Sequence, residues 1–317
     1  MLSSGQRLGG MAAVLIAAVL WGTTGTAATY APGLSPLAVG AVAMGIGGLL
    51  QGLIAAATII RQRALIICNW HFLLTGAVAV AVYPLAFYAS MHKAGVTVGT
   101  VISIGSAPIL SALIECRLDG LRLTRQWMCG AGVGVAGMVL LCLAESSGSS
   151  TADHAMTGIF LGLLAGFTYA FYSWSAWRLM QAGVVSRAAM GVTFGAGGLL
   201  LMPVLLMTGA PLLTAWNNTA VGIYMALVPM FLGYVCYGYG LARIPASMAT
   251  TITLLEPVIA ALLAVVLVGE RLPPSGWAGV GLIVACLGII TVPAGKLRFS
   301  LFRKRKENFE IAERKES

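Results

Sequence analysis

Charge is what this sequence has least of. Only 9% of its 317 residues are Asp, Glu, Lys or Arg, while 59% are hydrophobic, and a water-soluble domain carries roughly a quarter of its residues charged. A chain this poor in charge cannot cover a surface that faces water, so lipid is the implied solvent. Signatures of catalysis are missing too. The three histidines, His71, His92 and His154, fall at the ends of apolar runs. No HExxH, G-x-S-x-G or paired intramembrane aspartate occurs, so a membrane enzyme is not expected. Without a Walker A sequence the chain does not itself hydrolyse ATP, which leaves a gradient or a counter-substrate as the energy source. The six cysteines, Cys68, Cys116, Cys129, Cys142, Cys236 and Cys286, form no C-x-x-C pair and have no companion histidines. They read as reduced packing residues, with no metal site and no cofactor expected.

What is present is glycine, 40 of it, and apolar runs near twenty residues long. The runs fall at about 9–30, 36–60, 70–91, 95–114, 126–144, 156–177, 188–208, 219–241, 245–268 and 276–294, each long enough to cross a bilayer. The fold class read from them is an all-α integral membrane protein of ten transmembrane helices. The first run is too long for the core of a cleaved signal peptide and reads as a retained helix. The ladders Gly158, Gly162, Gly166 and Gly130, Gly134 are expected on helix-packing faces, where small residues let backbones approach.

Orientation follows from the basic residues, which collect in cytoplasmic loops. With the N-terminus inside, ten spans leave only Lys93 and Arg271 of nineteen Lys and Arg on the outer side. Eight of the nineteen lie in 296–317. A charge excess placed there reads as a cytoplasmic tail and not as a nucleic-acid surface. The organisation is then a cytoplasmic N-terminus at 1–8, a five-helix unit at 9–144, an external connecting loop at 145–155, a second five-helix unit at 156–294 and a basic cytoplasmic tail at 295–317.

The two units repeat one another. Tyr88, Lys93, Thr100, Pro108, Arg122-Leu123 and Trp127 return in order as Tyr237, Arg243, Thr250, Pro257, Arg271-Leu272 and Trp277, with slips of one residue. Since each unit has an odd number of spans, the second must sit upside down relative to the first, the inverted-repeat logic of secondary transporters.

Glu256 is read as the acid deep in a span, the ninth, and an ionisable group there is costly enough to mark function. Either it carries its proton, or it faces a wet cavity and meets a cationic group of the cargo; a structural hydrogen-bonding role beside Pro257 is the alternative. Thr253 shares its helical face. Pro108 and Pro257 occupy matching mid-span places, where each removes a backbone hydrogen bond and can act as a hinge that frees carbonyls toward a ligand. Ser103 and Ser106 lie just before Pro108. Aromatic residues at depth, away from the interfacial belts that Trp70, Trp127, Trp177, Trp216 and Trp277 suit, are Trp21, Tyr83, Phe87, Tyr169, Tyr172, Tyr234 and Tyr237. Buried hydroxyls need partners, so these either line a polar cavity or pack in the core.

Five segments make the chain resemble the EamA-type drug/metabolite transporters over about 9–294. They are Leu20-Trp21-Gly22, Ser106-Ala107-Pro108, Leu255-Glu256-Pro257, Leu267-Val268-Gly269-Glu270-Arg271-Leu272 and Gly276-Trp277-Ala278-Gly279. The first-half copy departs from the second, with Ala107 where Glu256 corresponds and Asp119-Gly120 near the place of Gly269-Glu270. The resemblance implies two inverted five-helix repeats in a bacterial cytoplasmic membrane, with a central cavity lined by spans one, three, four, six, eight and nine and with spans five and ten peripheral. It implies a carrier of small metabolites, commonly an exporter. The expected function is secondary active export of amino acids or related compounds by alternating access; the alternative is export of drug-like or lipidic amphiphiles. Candidate substrate-binding residues are Trp21, Tyr83, Phe87, Ser103, Ser106, Tyr169, Tyr172, Tyr234, Tyr237, Thr253 and Glu256, with Pro108 and Pro257 as hinges. Expected partners are a small-molecule substrate, the lipid bilayer and a coupling proton, with no nucleic acid, in a monomer or homodimer.

Overall fold

The computed structural model describes residues 4–94, 96–145, 155–268 and 272–291. The 146–153 loop, His154, Gly269, Glu270, Arg271 and the basic tail lie outside the described residues, as does the side chain of Cys142. The described residues form ten long helices and no strand: α1 Gly5–Thr29, α2 Pro36–Arg61, α3 Trp70–Ala94, α4 Val96–Leu118, α5 Arg125–Glu145, α6 Ala155–Gln181, α7 Ser186–Thr208, α8 Trp216–Leu241, α9 Ala246–Leu267 and α10 Pro274–Thr291. Among the described residues nine are long and apolar enough to cross a membrane. The remaining helix, α5, is 21 residues long.

Neighbours are arranged as a repeat requires. Helix α3 packs on α6 as α8 packs on α1, α4 lies against α6 as α9 lies against α1, and α3 meets α7 as α8 meets α2. The pairs α2 with α7, α4 with α9 and α5 with α10 join each helix to its own counterpart. Exchanging each helix of the first half with the one five places later leaves this set unchanged, as two inverted copies of a five-helix unit should. Small residues make the close approaches. A Cβ at Gly158, Gly162 or Gly166 would strike Ala94, Ser90 and Ser106, and one at Gly130, Gly134 or Gly137 would strike Ile290, Cys286 and the Gly279 carbonyl. Both glycine ladders are therefore helix-packing faces, the first for α6 on α3 and α4, the second for α5 on α10.

Alternating helix ends bring Arg61, Arg117, Arg125, Arg178, Arg187 and Arg243 to one end of the bundle, with Arg7 on the first turn of α1. Polar contacts bind that end together. Gln62 Oε1 accepts from Val185 N at 2.9 Å, Arg187 donates to the Ile54 carbonyl at 2.6 Å, and Ser186 donates to the Gly238 carbonyl at 2.7 Å. Here α4 and α6 each run four residues past the apolar stretch read from sequence, because the polar residues beyond it find partners: Asp119 accepts from Trp174 Nε1 at 2.6 Å and pairs with Arg178 at 3.0 Å.

Several helices are irregular. Helix α1 breaks at Thr23, whose hydroxyl returns to the Leu20 carbonyl at 2.6 Å. Helix α2 has a π-helical stretch at Ala41–Ile46, α8 has one at Ala226–Leu232 around Pro229, and α9 ends in another at Ala264–Val268. Helix α9 also breaks at Thr253-Leu254. Thr253 lies four residues before Pro257, where the proline ring collides with a helical carbonyl, so the break follows from that proline. Pro108 behaves otherwise. Helix α4 continues through it without a break, because α4 is held by α3, α5, α6 and α9 and one missing backbone bond does not outweigh that packing. The expected hinge at Pro108 is thus not a discontinuity in this structure.

Candidate functional site

Trp21 enters the core from α1 just before the break at Thr23. Its indole Nε1 donates to the Pro229 carbonyl at 2.9 Å, a group that the π-helical turn of α8 turns outward, since a wider turn misaligns the backbone ladder. Gln51 of α2 takes the next carbonyl, that of Met230, at 3.3 Å. The indole fits only because residue 233 is glycine: a Cβ there would stand 2.7 Å from Trp21 Nε1.

Around the indole gather aromatic rings from four other helices. Tyr234 and Tyr237 of α8 lie 4.7 and 5.2 Å from it, centroid to centroid, and Tyr169 of α6 lies at 6.4 Å. Tyr83 of α3 contacts Tyr169 at 5.6 Å, Tyr172 at 5.7 Å and Phe87 at 5.7 Å, while Phe194 of α7 contacts Tyr234 at 4.3 Å. Four of the tyrosine hydroxyls are partnered. Tyr172 and Tyr234 share a hydrogen bond of 2.7 Å, Tyr169 and Thr253 share one of 2.7 Å, and Tyr237 donates to Ser173 at 2.9 Å. Pairs of this kind contribute about 0.5–1.5 kcal/mol each beyond burial, so the cluster is a firm plug across the middle of the bundle.

Against this plug, on the side away from the arginine-bearing end, lies a small cavity of about 40 Å³. Pockets that hold small ligands run to roughly 300–1,000 Å³, so this cavity is too small for cargo as it stands. Glu256 of α9 lines it, together with Thr24 of α1, Tyr83, Phe87 and Tyr88 of α3, and Met230 of α8. Gly40, Ala43 and Met44 of α2 complete the wall. No Lys, Arg or His is among these residues. Glu256 sits in the first turn of the Leu255–Leu263 segment that follows the α9 break. Carboxylate, ring faces and methionine sulfurs together can hold an ammonium-bearing, partly apolar solute.

The expected site residues thus divide. Trp21, Tyr83, Phe87, Tyr169, Tyr172, Tyr234, Tyr237, Thr253 and Glu256 come together as plug and cavity. Ser103 and Ser106 do not line this cavity; Ser106 abuts Gly166 and its hydroxyl reaches back to the Ser103 carbonyl at 3.5 Å, so both serve the α4–α6 contact. The lining also departs from the expected set of spans, since α2 contributes through its π-helical stretch whereas α4 and α6 do not reach the cavity.

A second buried acid escaped the sequence reading. Glu115 of α4 is 1% exposed and accepts from the backbone N–H groups of Ala246 at 2.7 Å and Ser247 at 3.3 Å, so it caps the first turn of α9. Glu115 lies three residues from the end of α4, so it is buried at the arginine-bearing end and not deep in a span as Glu256 is. The available signal was Pro245-Ala246-Ser247, a helix start with no acid or cap of its own nearby. Trp174, buried at the Asp119–Arg178 pair, was likewise missed. Among the described residues no group of three His, Cys, Asp or Glu is placed to hold a metal ion.

Comparison with known proteins agrees with this architecture. The family model described as "EamA-like transporter family" matches residues 8–143 and again 156–292. The "Uncharacterized transporter YwfM" of Bacillus subtilis is 34% identical over 89% of this chain and 92% of its own length. A "Probable terminal-alkyne amino-acid exporter" of Streptantibioticus cattleyicolor is 25% identical over 86% of this chain and 92% of its own. A crystal structure 20% identical in sequence superposes with a TM-score of 0.73 over 91% of this chain and 98% of that one, a likeness of fold.

Proposed function

Because the chain belongs to the EamA-like transporter family, we propose that it is a secondary transporter exporting amino acids or related small metabolites by alternating access around the Glu256 cavity. The observation that carries this reading is the contrast between the two halves of the bundle's depth. On one side of the tyrosine plug an acid-bearing aromatic cavity is present, and on the other, toward the arginine-bearing end, Ala176, Met190 and Leu241 pack closed, each no more than 3% exposed. A carrier that opens to one side at a time needs that asymmetry.

A lone carboxyl without a compensating cation supports cargo bearing an ammonium group, and the rings support an apolar side chain beside it. That a relative bears the name of an amino-acid exporter supports the same class. Met44 and Met230 in the lining favour the second reading, an amphiphile exporter, since methionine adapts to varied apolar shapes. We assign the arginine-bearing end to the cytoplasm on the positive-inside rule, a reading with both termini inside and the present cavity toward the outer side. Units 9–144 and 156–294 are the two moving halves. One chain supplies every wall of the cavity, so a monomer suffices as the transporting unit, and Glu256 is the group that would carry a coupling proton.

The test is uptake into inverted membrane vesicles with an imposed pH gradient, using labelled neutral amino acids and, in parallel, a cationic dye. Saturable accumulation of amino acids that the dye does not inhibit supports the first reading. Dye accumulation without amino-acid flux replaces it with the second, and non-saturating flux of either would turn the reading to a channel.

A further inference from the structure

We propose that the groove between α4 and α5 at the arginine-bearing end is a binding site for one anionic phospholipid, whose acyl chain lies along the groove and whose phosphate meets Arg117, Arg122 and Arg125. It lies apart from the Glu256 cavity and is independent of the cargo.

Two antiparallel helices make the walls. Ile109, Leu113 and Cys116 recur on α4 at the three- and four-residue spacing of one helical face, and Trp127, Ala131 and Val135 do so on α5. The space between them is about 440 Å³, within the roughly 300–1,000 Å³ of small-ligand pockets. From Ile109 to Cys116 it follows roughly 10 Å of α4, at about 1.5 Å per residue. It ends at the turn joining the two helices, where Cys116 Sγ donates to the Leu121 carbonyl at 3.1 Å. Gly132 also lines it, and a Cβ there would meet nothing within 4 Å. Gly130, Gly134 and Gly137 of the same helix are by contrast packed against α10, so this face of α5 is left without a protein neighbour.

Charge identifies the occupant. Arg117 follows Cys116, Arg122 precedes Leu123 of the lining, and Arg125 opens α5; all three are exposed. The acids nearest in sequence are engaged elsewhere, Glu115 by the N–H groups of Ala246 and Ser247, and Asp119 by Trp174 and Arg178. Three cations beside the end of an apolar groove suit an anion with an apolar body, and basic pockets between membrane helices hold lipid headgroups in this way. The chain's own tail is a poor occupant, since 296–317 carries eight Lys and Arg against four Glu. A second copy related by a two-fold axis would set arginines against arginines. Trp127 gives a further reason. Its indole Nε1 is buried with no hydrogen-bond partner among the described residues, an unfavourable state. Tryptophan suits the headgroup level, and a lipid ester oxygen at that level supplies the acceptor when the ring turns toward it.

The test titrates the full chain in a neutral detergent with phosphatidylglycerol, with phosphatidylcholine of the same acyl chains, and with glycerol phosphate as the chainless control, followed by thermal melting and native mass spectrometry. Phosphatidylglycerol is expected to raise the melting temperature by about 3 °C or more and to leave one lipid bound after delipidation, while the other two do neither. Gly132→Phe fills the groove at a position where an added Cβ meets open space. Arg117→Gln combined with Arg122→Gln and Arg125→Gln removes the charges from an exposed surface. Each variant should melt like the wild type in detergent alone and lose both the phosphatidylglycerol shift and the retained lipid; should one fail to fold, the other decides. Equal shifts from the two phospholipids would mean that bulk lipid fills the groove, and a shift from glycerol phosphate would mean a site for soluble anions; either refutes the lipid site. So does the absence of any shift, or a phosphatidylglycerol shift that survives in the variants and so arises elsewhere, as on the basic tail. None of these readouts involves flux, so the transport reading stands or falls separately.

Discussion

Two carboxylates at different depths do different work. Glu256 lines the cavity with no cation beside it, so the Gln substitution keeps shape and hydrogen bonding but removes the charge. Glu256→Gln is expected to lower transport at least tenfold at unchanged yield of folded protein, measured by vesicle uptake and size-exclusion profile; wild-type flux would remove Glu256 from the mechanism. Glu115 holds two backbone N–H groups of α9 in a buried place. Glu115→Ala leaves both unsatisfied, a loss of about 1–3 kcal/mol, whereas Glu115→Gln keeps an acceptor oxygen and loses less. Thermal melting in detergent should rank wild type, Gln and Ala in that order, and equal melting of all three would deny Glu115 a capping role. Glu256 was legible in the sequence because an acid inside an apolar run stands out against its neighbours. Glu115 was not, since it falls one residue beyond the apolar stretch of α4 and its partners belong to a helix whose position only the fold assigns.

At the scale of the helix, the same residue type gave opposite outcomes. Pro257 comes with a break at Thr253-Leu254, and Pro108 sits in a continuous α4. The sequence showed two matching prolines; it could not show that α4 is braced by four neighbours. The π-helical stretch of α2 was equally hidden, which is why α2 was not expected in the cavity wall. By contrast the α8 stretch carries Pro229 as a visible sign. The break in α9 positions both Thr253, bonded to Tyr169 at 2.7 Å, and Glu256 in the turn after it. Pro257→Ala lets the broken turn re-form. An interior proline disfavours a helix by about 3 kcal/mol, and since α9 already accommodates it the gain is smaller. The melting temperature should rise by a few degrees while the transport rate falls several-fold, because a straightened α9 carries Glu256 away from Tyr83. Faster transport in the stabilised variant would contradict the break as a working element.

For the whole molecule, the main neighbour pairs survive exchange of the two halves, yet the contents of the halves differ: Glu256 lies in one and Ala107 at the matching place in the other. The repeat was legible because Tyr, Pro and Trp recur at one interval, and the near-closed state was not, because occlusion depends on side-chain packing that no periodicity encodes. If the halves move as units, holding α4 to α9 at the arginine-bearing end must freeze the molecule with its cavity on one side. Glu115→Cys with Ser247→Cys, joined by a short bifunctional thiol reagent, places such a staple where Glu115 meets Ser247 N at 3.3 Å. Net flux should stop on cross-linking and return on cleavage by reductant, while cargo binding, followed by equilibrium dialysis, persists. Binding and flux separate in this way only if the stapled end must open for transport but not for the first encounter with cargo. Full flux through a fully cross-linked population would mean that α4 and α9 stay together at this end throughout the cycle, and the opening would then have to be sought between other helices.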